Sequence, residues 1–347
     1  MTKIEQLIQM YSEASEEIRL RINSLEDGIA KRKQQQLLQQ ILNIISELQQ
    51  EGSDLSSEII DEAYQNGLEE AIQELLDQGK GEVEKSLKSV LHEEAVQKIQ
   101  DEVFYRILEA TDHMTTDAKD RIKTIVQQAN ERSLIQGVSR RQATKDAIAE
   151  VNNKGITGIV YKNGTKMPVE KYMANVIHYH QRQAHVDGSI NRMIDNGQDL
   201  VYVNFVGITC ELCAKYQGRV YSISGNDKRF PALTVRPPYH GHCVHSTSAW
   251  VEEYQDEEDI KQALKDSNRA FTDNRKEQNI RKYEQMQKET SKKNETRKQW
   301  IRYKARMPDL PDLKTFASHK ARNTKKYREW LEDFREIGGE IKKRSTR

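Results

Sequence analysis

The three cysteines of this 347-residue chain all fall in one stretch. Cys210 and Cys213 form a C-x-x-C, and Cys243 follows thirty residues later inside His240-Gly241-His242-Cys243-Val244-His245. An odd set of thiols cannot close into disulfides alone. A C-x-x-C turn lets two thiolates reach one ion, and ligands from a distant loop complete the tetrahedron that zinc takes with thiolate and imidazole. Cys210, Cys213 and Cys243 are therefore read as three ligands of a structural Zn2+ site. His240 and His245 compete equally for the fourth position, with His242 behind them.

Three thiolates and an imidazole make a soft, filled site, whereas a catalytic zinc keeps one position open. Other metal chemistries lack their residues. Thr209 stands where a deaminase places proline before its C-x-x-C. No H-E-x-x-H occurs. Glu211 is the only acid between Val201 and Asp227, so no carboxylate cluster is at hand for a hydrolytic ion. A second histidine set, His178, His180 and His185, is read as ordinary helix side chains. His178 and His185 share a face but stand too far apart for one ion.

These ligands need elements to hold them. The flanking sequence DLVYVNFVG (199–207) reads as a buried strand, Gly218–Ile223 as a second, and Arg236-Pro237-Pro238-Tyr239 as extended chain, since proline disfavours helix at the residue before it. Upstream, Asn163-Gly164 between β-branched and aromatic residues is a hairpin signal. Pro168 then opens a helix over about 169–197, ended by Gly197.

The chain before Gly155 is helical in pattern. Ile4, Leu7, Ile8, Tyr11, Ile18, Ile22, Leu25 and Ile29 recur at threes, fours and sevens, and Leu37, Ile41, Ile44, Ile45 and Leu48 continue the stripe. EGSD at 51–54 predicts a break, with Ser53 or Asp54 capping a new helix. Further helices are predicted over about 55–78, 82–111 and 115–136, with Gly137 as a terminator. Ser139 and Gln142 form a capping box that opens a helix over about 140–151. After Asp256, sparse apolar residues predict one or two exposed helices up to Arg306. Pro308 and Pro311 interrupt them, and a last helix spans about 313–337 before Gly338-Gly339 and a basic tail.

Composition agrees with this pattern. The chain is 36% hydrophobic, 31% charged and 7% aromatic, with a mean hydropathy of −0.87. That is too little apolar mass for one large core and suits long exposed helices around a small centre. The net charge of +1 hides an asymmetry. Residues 1–100 carry 10 Lys/Arg against 20 Asp/Glu, and residues 260–347 carry 26 against 13. Arg275, Lys276, Arg281, Lys282, Lys292, Lys293, Arg297, Lys298, Arg302, Lys304 and Arg306 crowd one helical region, and all but the first two are taken as the candidate nucleic-acid-binding residues. Contacts of that kind would be to phosphates, without base reading. The N-terminus lacks an apolar signal core and no run of eighteen apolar residues occurs, so neither signal-directed export nor a membrane span is expected.

The expected fold is mainly α with a small α+β zinc-clasped module, a long helical N-terminal arm and charged C-terminal helices. The expected divisions are 1–151, 152–252 and 253–347. The ordered set "YMANVIHYHQRQAHVDGSINRMIDNGQDLVYVNF", the C-x-x-C, "YQGRVYSISG" and "RPPYHGHCVHS" resembles the phage minor capsid proteins, within the head-morphogenesis group related to the F protein of phage Mu. The likeness extends into "NRKEQNIRKYEQMQKE", "WIRYKAR" and "KYREWLEDFRE". Two positions depart from the family pattern: His178-Tyr179 replaces an Arg-Thr pair, and His245 replaces the last cysteine of the closing metal segment.

The resemblance implies a non-catalytic structural component of a tailed-phage or prophage head, in the virion and, during assembly, in the host cytoplasm. Its partners would be the portal protein, other head proteins and, non-specifically, packaged DNA, with no membrane. The alternative is a zinc-dependent nuclease or toxin-like enzyme domain on a phage carrier. It draws on histidines beside a metal and a basic face, and it lacks carboxylates. A zinc-containing DNA-binding regulator would need a helix-turn-helix or tandem-finger spacing that the chain does not show.

Overall fold

The stripe beginning at Ile4 becomes the buried face of α1 (Lys3–Asn23) in the computed structural model of the chain. Thr2 caps this helix, its hydroxyl accepting from the Glu5 amide while the Glu5 carboxylate accepts from the Thr2 amide. The structure describes residues 1–85, 90–136, 139–152, 155–241, 243–273, 275–307 and 309–337. Gly137, His242, Pro308, Gly338, Gly339 and the basic tail, all singled out above, lie outside them. The further elements are α2 (Lys31–Asp77), α3 (Val90–Gln136), α4 (Arg140–Val151), β1 (Thr157–Val160), β2 (Lys166–Pro168), α5 (Val169–Asp195), β3 (Leu200–Val203), α6 (Glu211–Ala214), β4 (Arg219–Ser222), β5 (Thr247–Ala249), α7 (Glu257–Asn268), α8 (Glu277–Arg306), α9 (Leu313–Ala321) and α10 (Lys325–Ile337). The fold is mainly α with small sheets. No helix among the described residues is long and apolar enough to cross a membrane.

Three local expectations fail, each for a tertiary or side-chain reason. EGSD does not end a helix, because α2 runs through it. Gly52 is buried there, and a Cβ on it would meet the Tyr11 hydroxyl at 2.9 Å. The glycine makes room for a packed ring, which offsets its helix penalty of about 1 kcal/mol. The gap predicted near 112–114 is also helical. The Thr111 hydroxyl folds back on the Ile107 and Leu108 carbonyls at 3.0 Å, which satisfies this buried polar group inside the helix. Conversely, the last predicted helix is two. Asn323 takes a left-handed φ of 47°, and Thr324 caps α10 by accepting from the Tyr327 amide.

The chain divides into two compact units. One comprises Met1–Leu55, Phe104–Ala174 and Ser291–Arg347, the other Ser56–Val103 and Asn175–Thr290. In the first, a buried polar clasp fixes the chain between α4 and β1. Arg121 donates to Asp117 Oδ2 at 2.9 Å, Asn152 Oδ1 at 3.0 Å and the Gly155 carbonyl at 2.9 Å. Asp117 also accepts from the Thr157 amide, and Arg19 donates to the Asn152 carbonyl at 2.8 Å. β1 and β2 pair antiparallel around Asn163-Gly164, with Gly164 at φ 80°. Tyr303, Phe316, Tyr327 and Trp330 form an aromatic core of the same unit.

In the second unit, an antiparallel sheet of order β4-β3-β5 packs Val201, Val203, Tyr221 and Ala249 with Ala71, Leu75 and Met193 from α2 and α5. The two helices meet backbone to backbone at paired glycines. A Cβ on Gly67 would fall 2.0 Å from the His185 carbonyl oxygen, and one on Gly188 would fall 2.3 Å from the Tyr64 oxygen. Gly188→Ala is expected to force the helices apart and to destabilise this unit by about 2–3 kcal/mol, read as a lower denaturant midpoint. A midpoint equal to the parent's would show that the crossing yields freely.

The outer edge of β5 is satisfied by α2 side chains: Glu74 accepts from the Ala249 amide at 3.0 Å, and Gln78 bonds Ala249 and Val251. Burial, with Glu70 nearby, raises the Glu74 carboxyl to about 7. Its folded pKa thus lies above the ordinary 4.5. The folded chain holds a proton that the unfolded chain releases, so stability falls as pH rises from about 4.5 to 7. Glu74→Gln keeps the amide bond and removes the charge. It is expected to stabilise by about 1–2 kcal/mol at pH 8, allowing for the partial exposure of the group, and hardly at all at pH 4. Melting both chains at the two pH values checks this.

Candidate metal centre

Cys210 caps α6, its sulfur accepting from the Cys213 amide at 3.4 Å, so the C-x-x-C is a single helical turn that brings two thiols to one side. β3 delivers the chain into this turn and β4 carries it away. The second half arrives before β5, where the Cys243 amide donates to the His240 carbonyl. Tyr239 stacks on Tyr216 with centroids 4.4 Å apart, and Arg236 pairs with Asp187 of α5 at 3.0 Å.

The ligand candidates meet in two triads that share Cys213. Cys210, Cys213 and His240 form one, and Cys213, Cys243 and His245 the other, each with its ligand atoms within 4.8 Å of one another. His240 Nε2 stands 3.4 Å from the Cys210 sulfur and 3.2 Å from that of Cys213. The Cys213 and Cys243 sulfurs are 3.8 Å apart, and His245 Nδ1 is 3.6 Å from the Cys243 sulfur. Zinc–sulfur and zinc–nitrogen bond lengths put tetrahedral ligands about 3.8 Å apart for two sulfurs and about 3.5 Å for sulfur and nitrogen. The residues present therefore suit a soft divalent ion, and these Cys/His groups could hold one. His242 lies outside the described residues.

Electrostatics set the resting state. Burial, then the neighbouring thiols, pushes the Cys213 thiol upward. Burial lowers His245 to about 4, so its imidazole is neutral and able to ligate. Gln217 Oε1 lies 3.0 Å from His245 Nε2 and accepts from the Val206 amide, while its amide nitrogen donates to the Gly207 carbonyl. A proton on Nε2 directed at this oxygen leaves Nδ1 as the free lone pair. Sequence reasoning missed Gln217, because a glutamine four residues past C-x-x-C has no ligand signature. It also missed Tyr283 of α8. Burial and then the charges of Cys210 and Cys213 raise that phenol to about 12.

The second histidine set is engaged structurally. His185 pairs with Glu70 at 2.6 Å, and buried His180 sits 2.9 Å from the Val176 carbonyl and 3.6 Å from Glu102. A further buried network, which sequence reasoning did not single out, joins His92 to Tyr64 at 2.8 Å and to Asp195 at 2.6 Å.

The candidate nucleic-acid residues all belong to α8 and differ in availability. Arg281, Lys282, Lys292 and Lys293 are exposed, Arg281 pairing with Glu277. Arg297 is occupied by Glu5, and Lys304 donates to the Leu310 carbonyl at 2.6 Å. Lys298, Arg302 and Arg306 lie on the helix, with side chains outside what the structure describes.

Neither curated proteins nor solved structures match the chain. A family model described as phage minor capsid protein 2 matches residues 4–334, which takes in the helical N-terminal half as well as the cysteine segment and the C-terminal helices. The chain belongs to the phage minor capsid protein 2 family.

Proposed function

We propose that the chain is a structural component of a tailed-phage or prophage head, built into particles in the host cytoplasm and associated with the portal vertex. The family match over 4–334 carries this reading. Along the chain, we assign 1–151 to engaging head proteins, 152–252 to a zinc-clasped module and 253–347 to a charged surface. The cofactor is one structural Zn2+ held by Cys210, Cys213, Cys243 and either His240 or His245. With four protein ligands no position is left for water, so no hydrolysis is expected and the nuclease alternative has no chemistry to use. The test is to purify portal-containing heads made with tagged full-length chain. Its presence at a few copies per head supports the reading, and heads free of it overturn the assignment.

The exposed cations of α8 supply a further expectation. The full chain should bind random duplex DNA without sequence preference, with a Kd on the order of micromolar at physiological salt, and binding should fall steeply as salt rises. Lys292→Gln with Lys293→Gln should weaken it and flatten the salt slope by about 2. A flat salt response in the parent would assign this surface to a protein partner instead.

A further inference from the structure

Beside the cysteine turn, the chain that leads into α8 makes contacts that folding of the sheet does not require. Arg275 Nη1 donates to the carbonyl of Thr209, the residue before Cys210, at 2.9 Å. The Arg275 guanidinium is itself held by Asp273 at 2.7 Å. Lys215, just past α6, lies 5.8 Å over the Phe271 ring. Tyr283, about one and a half helical turns into α8, is half-buried. All these residues belong to the second unit. The chain leading into the basic helix is thus fastened to the cysteine turn.

From this juxtaposition we infer that metal binding and the seating of the chain leading into α8 are coupled, with Arg275 as the positioning residue that joins them. The inference rests on the zinc reading above. Three thiolates and a neutral imidazole around a divalent ion leave a net charge of about −1 on the turn. The Arg275 guanidinium, held at the Thr209 carbonyl next to Cys210, is attracted more strongly by that charge than by neutral thiols. Arg275, bonded to the residue before Cys210, lies beside that charge. Metal therefore tightens the dock. By thermodynamic reciprocity the dock must tighten the metal by the same factor.

The experiment uses the full chain, zinc-loaded and after chelation, and reads zinc content, zinc affinity by chelator competition and amide exchange over residues 277–286. Loaded protein should protect these amides at least about tenfold more than stripped protein, while α1 exchanges equally in both. Arg275→Gln, which keeps a polar side chain and removes the charge, should still bind one zinc per chain, should bind it about 10-fold more weakly, and should lose the added protection. Protein that never takes up zinc overturns the zinc reading and this inference with it. Protein that binds zinc with unchanged exchange over 277–286, or an Arg275→Gln chain with parental zinc affinity and protection, overturns the coupling alone.

Discussion

Cys213→Ser is expected to abolish metal binding and to unfold the loops on either side of β4. Cys213 is 1% exposed and is the one sulfur common to both ligand triads. Serine is a poor zinc ligand, and its hydroxyl would replace a thiol in a site with few competing donors. A structural zinc contributes on the order of 10 kcal/mol to the folding of its module, so losing it removes more than most domains hold in reserve. The strands are packed by Val201, Val203 and Tyr221 against Leu75 and Met193, so some sheet structure should persist. The expected readout is near-zero zinc by elemental analysis, with fast amide exchange around residues 204–218 and 243–246. A serine chain that retains one zinc and melts with the parent would remove this cysteine from the site. The paired variants His240→Ala and His245→Ala should then separate the fourth ligand from its neighbour.

The second large effect is expected in the other unit. Arg121→Met should destabilise it by about 3–5 kcal/mol, because it strands the Asp117 carboxylate in the interior. Both residues are 7% exposed. The guanidinium satisfies Asp117, Asn152 and the Gly155 carbonyl together, and methionine can satisfy none of them. Lys166, 3.7 Å from the other Asp117 oxygen, softens the loss without reaching those carbonyls. Adding Asp117→Asn to Arg121→Met should recover part of the stability, since it removes the orphaned charge. Denaturant melts of the parent, the single and the double variant check this. A single-variant loss under about 1 kcal/mol would mean that water reaches the clasp.

What the sequence determined by itself was whatever depends on neighbours a few residues away. The stripe of Ile4, Leu7, Ile8 and Tyr11 repeats at the helical period, and α1 follows. Asn163-Gly164 accepts the left-handed turn that joins β1 to β2. The C-x-x-C spacing places two sulfurs on one turn, which made Cys210 and Cys213 recognisable before any fold was known. The tertiary structure decided whatever depends on residues brought together from far along the chain. Gly52 sits inside a helix because Tyr11 needs its space, and Gly67 and Gly188 serve a backbone crossing, although glycine in a sequence reads first as a break. Gln217 orients His245 across 28 residues, and Arg275 reaches the Thr209 carbonyl across 66. Arg121 looks like any surface cation on a charged helix until Asp117, Asn152 and Gly155 close around it. Local periodicity records which face of an element is apolar, but the partner that covers the face, and the polar groups that must be satisfied once water is gone, are properties of the packed chain alone.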